Sequence, residues 1–330
     1  MIDVDIEFLL KQDDLLIIDT RSPGEYEIDH IKGAISFPLF DNVERSEIGT
    51  LYKADKDEAF DLGVEYFSKK MPLLMKKIKS FDAKRVLVYC WRGGTRSKAM
   101  AQLFDLLDFE VFRLKGGYKA YRNYVVDYLS KVEKKFIVLW GNTGVGKTKV
   151  LLHLDSVLDL EGLAQHRGSL FGGVGLKKQT QKYFETLLFF KLRELSELVF
   201  VEAESRKVGD IIIPKNIFEQ ILSGTNVLVE ASVETRVNNI VEEYFKPDLI
   251  PEIKEIIPKL KQRLGAETIN ELLLWLEEGK YSEITEFLLI NYYDPLYRHS
   301  AEGISYDLVV STDDIDSAVN KINEVFVKND

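Results

Sequence analysis

The sequence has one cysteine, four histidines and no long uncharged apolar run. A single cysteine excludes an internal disulfide, and with so few histidines a zinc site built from Cys and His is not expected. No apolar run approaches the roughly 18 residues of a membrane-spanning helix, and the first residues are acidic where a signal peptide would be basic. We therefore expect a cytoplasmic protein.

The composition is that of a soluble globular protein, and 330 residues are enough for two domains with separate cores. The net charge of -10 by itself argues against a nucleic-acid partner. However, the segment from Lys69 to Lys98 contains ten Lys and Arg residues against Asp82 alone. A local basic surface of this kind attracts a polyanion whatever the overall charge, although a solvated helix face is an equally good interpretation.

The only cysteine stands where an apolar run, residues 86–89, meets a helical pattern. The loop between them reads Cys90-Trp91-Arg92-Gly93-Gly94-Thr95-Arg96-Ser97. A strand, a tight loop and a helix start in this order point backbone N–H groups at one spot, so we predict an anion-binding cup. These donors, with Arg92 and Arg96, favour the thiolate of Cys90, which is thus predicted to be a nucleophile and not only a small apolar residue.

The same loop also fits the spacing of cysteine phosphatases. Cys90 is followed, after five residues, by Arg96 and Ser97. Those enzymes usually have a histidine before the cysteine, whereas this chain has Tyr89. Phosphatase activity therefore stays as the minor alternative for this loop.

Short apolar strands alternate with helical stretches in the first part of the chain, which predicts an open parallel α/β sheet. Four segments stand out in order: Asp19-Thr20-Arg21, His30-Ile31-Lys32-Gly33-Ala34, the Cys90 loop and Gly116-Gly117-Tyr118. With these segments, residues 5–125 resemble the rhodanese family. The resemblance implies that Cys90 accepts sulfur or selenium as a persulfide-type adduct while the loop amides hold an oxyanion. It also implies that Asp19, Arg21, Glu25 and His30 support the fold.

Residues 41–70 form a polar insertion in this pattern, and we expect an exposed loop outside the core. Arg45, Tyr52 and Lys53 are candidate contacts to a phosphate backbone or a base. A solvated loop without a binding role is the alternative interpretation.

The second part of the chain begins with a complete phosphate loop (P-loop). After the apolar run 136–140 the sequence reads Gly141-Asn142-Thr143-Gly144-Val145-Gly146-Lys147-Thr148, and a helical pattern follows. Strand, glycine-rich turn and helix are the context that this motif requires. The glycines let backbone amides approach phosphates, Lys147 neutralises their charge and Thr148 can hold a magnesium ion.

A second apolar run, residues 198–201, ends in Glu202 and Glu204. Nucleotide hydrolases of this fold usually have an aspartate there to position the metal. Magnesium binding by Thr148, Glu202 and Glu204 therefore stays plausible, while fast nucleotide hydrolysis is not expected. His166 and Arg167 lie on a predicted loop between the two motifs, where they either reach phosphate or substrate or are ordinary surface groups.

The predicted fold class is α/β: a rhodanese-like open parallel sheet, then a P-loop NTPase-like α/β domain with a helical C-terminal part. We place the rhodanese-like domain at residues 1–123, a helical linker at 124–135 and the P-loop domain at 136–330.

This pairing of domains resembles the tRNA 2-selenouridine synthase family over nearly the whole chain. Besides the two loops, the matching segments are residues 49–53, 159–168, 202–205 and 292–295.

The resemblance implies replacement of sulfur by selenium at C2 of a wobble 2-thiouridine in the anticodon loop of tRNA. Selenophosphate and geranyl diphosphate are the implied co-substrates, with Mg²⁺ as a possible cofactor. The candidate tRNA contacts are Trp91, Arg45, Tyr52, Lys53, His166 and Arg167.

Two other functions stay open: a sulfurtransferase fused to an ATP- or GTP-dependent kinase, and a regulatory binding module that would tolerate loss of Cys90.

Overall fold

The computed structural model describes residues 1–301 and 303–327. The chain divides into two compact units. The first comprises residues 1–129 and 185–190, and the second comprises residues 130–184 and 191–330. None of the described helices combines the length and the apolar character that a bilayer crossing requires.

The first unit is a parallel sheet with helices between its strands. The strands are β1 (Ile2–Val4), β2 (Leu16–Asp19), β3 (Ile35–Ser36), β4 (Arg85–Tyr89) and β5 (Glu110–Leu114). The helices are α1 (Ile6–Leu9), α2 (Pro23–Ile28), α3 (Asn42–Ala54), α4 (Lys56–Ile78), α5 (Thr95–Asp105) and α6 (Gly117–Lys131). All strand pairs are parallel, in the order β1-β5-β4-β2-β3, which confirms the predicted rhodanese-like open sheet.

The central strand of this sheet carries the cysteine loop at its carboxyl end. Strand β4 lies between β5 and β2, and its residues 86–89 are completely buried. A strand covered on both faces reads as a continuous apolar run, which explains why the sequence showed it clearly. Ligands of open α/β sheets bind beyond the carboxyl ends of the strands, which is where Cys90 stands.

The prediction that residues 41–70 form an exposed loop was wrong, because this segment lies within helices α3 and α4. Asp41 caps α3 and Asp55 caps α4, each accepting two backbone N–H bonds. Ile48 and Phe67 pack against the core of the first unit. The widely spaced apolar residues among many charged ones concealed the helical period.

The second unit contains the other strands and helices of the chain. The strands are β6 (Lys135–Trp140), β7 (Val157–Leu158), β8 (Leu198–Glu202), β9 (Lys207–Val208), β10 (Ile211–Ile212), β11 (Thr225–Glu230) and β12 (Leu308–Ser311). Helices up to the last sheet strand are α7 (Lys147–Leu151), α8 (Leu160–Ala164), α9 (Gln181–Glu194, shared with the first unit), α10 (Lys215–Leu222), α11 (Val233–Tyr244), α12 (Ile250–Ile256), α13 (Lys261–Leu264), α14 (Ala266–Glu277), α15 (Tyr281–Leu288) and α16 (Asp294–Ala301). Helix α17 (Ile315–Phe326) follows β12, a 3-10 turn (Ile257–Leu260) follows α12, and a π-helical turn (Leu289–Tyr293) follows α15.

Five of these strands form a second parallel sheet, in the order β12-β11-β6-β8-β7, while β9 and β10 form an antiparallel hairpin. The central strand, β6, leads into the P-loop. The helices from α12 to α15 have a core of their own, which includes Ile257, Leu272 and Ile284. The predicted P-loop α/β domain with a helical C-terminal part is thus confirmed, and edge strand β12 is an addition that the sequence did not predict.

Candidate functional sites

A buried polar network fixes the end of β4 just before Cys90. Arg21 donates to Asp19 at 2.6 Å, and both side chains are buried. The Tyr89 hydroxyl donates to the same carboxylate at 2.8 Å. Thr20 donates to the Tyr89 carbonyl through its N–H and its hydroxyl. The turn after β2 therefore has the fold-supporting role expected from its sequence, and it sets the point from which the Cys90 loop departs.

The segment after β5 clamps the cysteine loop by direct backbone contact. The N–H groups of Tyr118 and Lys119 donate to the carbonyls of Cys90 (2.8 Å) and Trp91 (2.9 Å). The Trp91 ring, half-buried, lies 5.2 Å from the Tyr118 ring. A Cβ atom on Gly117 would lie 2.2 Å from the Cys90 carbonyl oxygen, and Gly117 has a φ of +57°. Only glycine permits this approach at this backbone conformation.

We expect Gly117→Ala to lower the free energy of unfolding by about 3 kcal/mol, because the new methyl group must displace backbone and adopt a left-handed φ. Thermal unfolding measures the effect. The matched control is Gly94→Ala in the same loop, where a Cβ has nothing within 4 Å and φ is -89°. Equal unfolding temperatures for the two variants would contradict the clamp.

The loop forms a cup of unpaired donors at the start of α5. Among the described residues, no acceptor receives a hydrogen bond from the backbone N–H groups of residues 91–97. The Arg92 side chain is exposed and likewise has no ion-pair or hydrogen-bond partner in residues 1–301 and 303–327. The Cys90 thiol is 3% exposed and donates to the Ser97 hydroxyl at 3.2 Å. The cup can therefore hold an anion above the sulfur.

The side chain of Arg96 is paired with Glu25, whereas the sequence suggested that it faces the anion-binding cup. Its guanidinium donates to Glu25 at 2.9 Å, and Glu25 also accepts from the N–H of Ser22. Burial raises the pKa of Glu25, but the hydrogen bond and charge of Arg96 outweigh it and hold that pKa below its usual value. A cysteine phosphatase needs this arginine on the bound phosphate, so the pairing disfavours that alternative. A role of Arg96 in anion binding stays a prediction.

The basic segment from Lys69 to Lys98 is partly neutralised. Its ion pairs are Lys69 with Glu65, Lys70 with Glu44, Arg85 with Asp14 and Glu110, and Arg96 with Glu25. On α3, Tyr52 and Lys53 are exposed, and Arg45 is half exposed with its Nε 3.6 Å from Glu25. These three residues are accessible, and their contact with tRNA stays a prediction.

The P-loop of the second unit has the predicted strand, turn and helix around it. Gly144 and Gly146 have φ values of +81° and +84°, which glycine adopts readily. Lys147 Nζ donates to the Gly141 carbonyl at 2.8 Å. The Thr148 hydroxyl donates to Glu202 at 2.8 Å. The lysine thus lies within the loop that phosphates would fill.

Three carboxylates gather next to the P-loop. One oxygen from each of Glu161, Glu202 and Glu204 lies within 4.8 Å of the others. Glu202 is the last residue of β8, and Glu204 and Glu161 come shortly after β8 and β7. These strands are parallel neighbours, so both end at the same edge of the sheet. Burial raises the pKa of all three carboxyl groups, and the charges of Glu202 and Glu204 raise the pKa of Glu161 further. With the Thr148 hydroxyl, this oxygen set suits a magnesium ion.

Sequence reasoning missed Glu161, although a signal existed. The acidic residue follows a short apolar run, residues 157–158, just as Glu202 and Glu204 follow theirs. A run of two residues is too short to be read as a strand from the sequence.

An ion pair supports the P-loop from outside. Arg236 of α11 donates to the Thr143 carbonyl at 2.9 Å and to both oxygens of Asp294 at 2.6 and 3.0 Å. The hydroxyl of Tyr297 accepts the Gly141 N–H at 2.6 Å. Arg236 was not among the predicted site residues. Arg236 stabilises the conformation of the P-loop, so residues far along the chain hold this loop in place.

We expect Arg236→Gln to lower the free energy of unfolding by about 3 kcal/mol, because Arg236 is 5% exposed and its loss strands the Asp294 carboxylate. Denaturant unfolding measures this change. Lys254→Gln is the control, because its ion pair with Glu277 is more than half exposed and should change stability by less than about 1 kcal/mol. A similar, small effect of both substitutions would show that Arg236 is dispensable for the loop.

His166 and Arg167 pack within the second unit. Arg167 lies 2.5 Å from Glu243 and donates to the Val174 carbonyl at 3.0 Å. A Cβ on Gly209 would lie 2.6 Å from the His166 ring, whose Nδ1 is buried without a partner among the described residues. Burial lowers the pKa of His166. These contacts give both residues a packing role, and contact with phosphate or tRNA stays a prediction.

Comparison with known proteins assigns both units. Residues 5–124 match the model of the rhodanese-like domain, and residues 134–326, more than half of the chain, match the model of the tRNA 2-selenouridine synthase AAA domain. The chain belongs to the tRNA 2-selenouridine synthase family. The resemblance noted from the sequence is thereby confirmed.

Members of the selenouridine synthase family match along most of their length. The tRNA 2-selenouridine synthase of Hydrogenovibrio crunogenus is 34% identical over 322 residues, covering 87% of this chain and 89% of that protein. That of a Sulfurovum species is 31% identical over 322 residues, covering 87% and 88%. A solved N-terminal domain of an ATP/GTP binding protein from Clostridium difficile 630 is 42% identical, covers 37% of this chain and 97% of that domain, and has a TM-score of 0.35.

Proposed function

We propose that the enzyme converts 2-thiouridine to 2-selenouridine at the wobble position of tRNA in two half-reactions. In the first, the sulfur is geranylated by geranyl diphosphate. In the second, selenium from selenophosphate replaces the S-geranyl group. Family membership supports the overall conversion. The observation that carries the division into two steps is the presence of two different anion sites, one beside a thiol and one beside a lysine and three carboxylates.

For the first half-reaction, the P-loop would bind the diphosphate of the prenyl donor through its backbone amides and Lys147. The Thr148 hydroxyl with Glu202, Glu204 and Glu161 would hold a magnesium ion. When bound, the metal supplies positive charge next to the leaving diphosphate. The thiocarbonyl sulfur attacks C1 of the geranyl group, the C–O bond breaks and diphosphate leaves.

Alkylation solves a chemical difficulty of the exchange. A thiocarbonyl sulfur is a poor leaving group, whereas an alkylated sulfur departs as a thiol and leaves C2 electrophilic. For the second half-reaction, the N–H groups of residues 91–97 and the exposed Arg92 would hold selenophosphate above Cys90. Selenium attacks C2, the C–S bond breaks as the Cys90 thiol gives its proton to the departing sulfur, and geranyl thiol is released. Hydrolysis of the Se–P bond then releases phosphate.

The substrate suits this chemistry, because the wobble base lies in a single-stranded loop. Such a base can be turned out of the stack into an enzyme pocket at low cost. The exposed Tyr52 and Lys53 and the half-exposed Arg45 of α3 are the candidates for contacts with the RNA in the first unit.

Mass spectrometry of tRNA nucleosides tests the proposal directly. Incubation of the full chain with 2-thiolated tRNA and geranyl diphosphate should yield S-geranyl-2-thiouridine, and further addition of selenophosphate should yield 2-selenouridine. Unmodified tRNA together with turnover of ATP or GTP and of thiosulfate would contradict the proposal and support the sulfurtransferase–kinase alternative.

A further inference from the structure

An apolar cavity opens next to the P-loop of the second unit. Its cavity volume is about 50 Å³, and it is partly open to solvent, so that a chain could enter from outside. Thr143 of the P-loop and Ser169 form part of its wall. Aliphatic and aromatic side chains from α11, from α12 and its 3-10 turn, and from α15 form most of the rest, among them Ile240, Ile257 and Leu288. Among the described residues that line it, none is charged.

Three of the few polar side chains in the wall are already engaged in hydrogen bonds. The Thr285 hydroxyl donates to the Tyr281 carbonyl at 2.8 Å, and the Tyr293 hydroxyl is hydrogen-bonded to Ser169. A nucleotide base is recognised through hydrogen bonds, which this wall has little capacity to offer. A flexible hydrocarbon chain needs only apolar surface, and the wall provides it.

The cavity borders both parts of the phosphate site. A Cβ on Gly144 would lie 2.8 Å from the Ile240 side chain, so the P-loop backbone rests on a cavity wall. On the other side, a Cβ on Gly168 would lie 2.9 Å from the Glu204 carboxylate, and the next residue, Ser169, lines the cavity. A ligand with its phosphates on the P-loop and the carboxylate side would therefore have its apolar end at the cavity.

We propose that this cavity binds the hydrocarbon chain of the prenyl diphosphate and selects its length, with Leu288 as a length-determining residue. The inference rests on the proposed prenylation and adds the subsite that recognises the chain. Each buried methylene changes affinity about fourfold. The kcat/KM for geranyl diphosphate should thus be on the order of 100-fold or more above that for dimethylallyl diphosphate, which is five carbons shorter.

Two substitutions of Leu288 with opposite effects on cavity size test the assignment. Leu288→Trp should raise the KM for geranyl diphosphate at least about 10-fold. Inhibition by inorganic pyrophosphate, which uses only the phosphate site, should stay within about twofold. Leu288→Ala should shift the preference towards farnesyl diphosphate by about 10-fold relative to geranyl diphosphate. Leu274→Trp is the control, because Leu274 belongs to the neighbouring helix α14 and is 58% exposed.

The outcomes separate the inference from the function on which it rests. If the wild-type chain prenylates tRNA but chain-length preference is the same in wild type, Leu288→Ala and Leu274→Trp, the cavity assignment is overturned and prenylation stands. If the wild-type chain transfers no prenyl group from any of the three diphosphates, both are overturned. Should Leu288→Trp fail to fold by circular dichroism, the farnesyl preference of Leu288→Ala decides.

Discussion

Lys147→Ala should lower kcat/KM for tRNA geranylation by about 100- to 1,000-fold, while selenation of tRNA that is already geranylated stays within about twofold. The ammonium group lies inside the P-loop, where it now donates to the Gly141 carbonyl. Its charge also acts on the carboxylates of Glu161, Glu202 and Glu204. Without this ammonium group, one positive charge fewer stabilises the negative charge that develops on the departing diphosphate, while the three carboxylates remain nearby.

The measurement is a pair of assays, one for each half-reaction, with nucleosides quantified by mass spectrometry. Lys149→Ala is the matched control, because Lys149 is two residues further along α7, is 40% exposed and pairs with Glu242. It should retain both activities within about twofold. Equal loss of geranylation and selenation in Lys147→Ala would contradict the division of labour between the two anion sites.

Cys90→Ala should have the opposite profile: selenation falls by about 1,000-fold, because no thiol then protonates the departing sulfur, and geranylation stays within about twofold. The thiol lies 3.2 Å from the Ser97 hydroxyl, at the start of the loop that carries the N–H groups of residues 91–97. Removing the sulfur leaves the cup and its donors in place. A selective loss would therefore report the chemistry of the thiol, since the substitution is small and the site is distant in sequence from the P-loop.

The control for Cys90 is Lys98→Ala, which removes an exposed charge from the same helix and should change neither activity more than about twofold. Thermal unfolding of Cys90→Ala distinguishes lost chemistry from lost folding, because a buried thiol also contributes to packing. Full selenation by a folded Cys90→Ala protein would refute a catalytic role of the cysteine and support a purely anion-binding loop.

One segment of the first unit was predicted wrongly, and one side chain of the cysteine loop has a partner that the sequence did not indicate. Helix α3 was taken for a loop because few of its residues are apolar, so its stability depends on the Asp41 cap and on packing against α4 and the core. Arg96 was assigned to the cup by its position in the loop, and its role there stays a prediction; in the structure it pairs with Glu25, which is 71 residues earlier in the chain. In both cases a partner distant in sequence decided the outcome.

The two parallel sheets, the cysteine loop and the P-loop could be predicted from the order of the residues alone. Buried strands and glycine-rich turns are specified by neighbouring residues, whose apolar runs and φ preferences are visible in any short window. The folded chain was needed to show that Glu161 joins Glu202 and Glu204, that Arg236 and Asp294 hold the P-loop, and that an apolar cavity borders the P-loop. Each of these features depends on which strands and helices become neighbours, and a short stretch of sequence does not specify these neighbours.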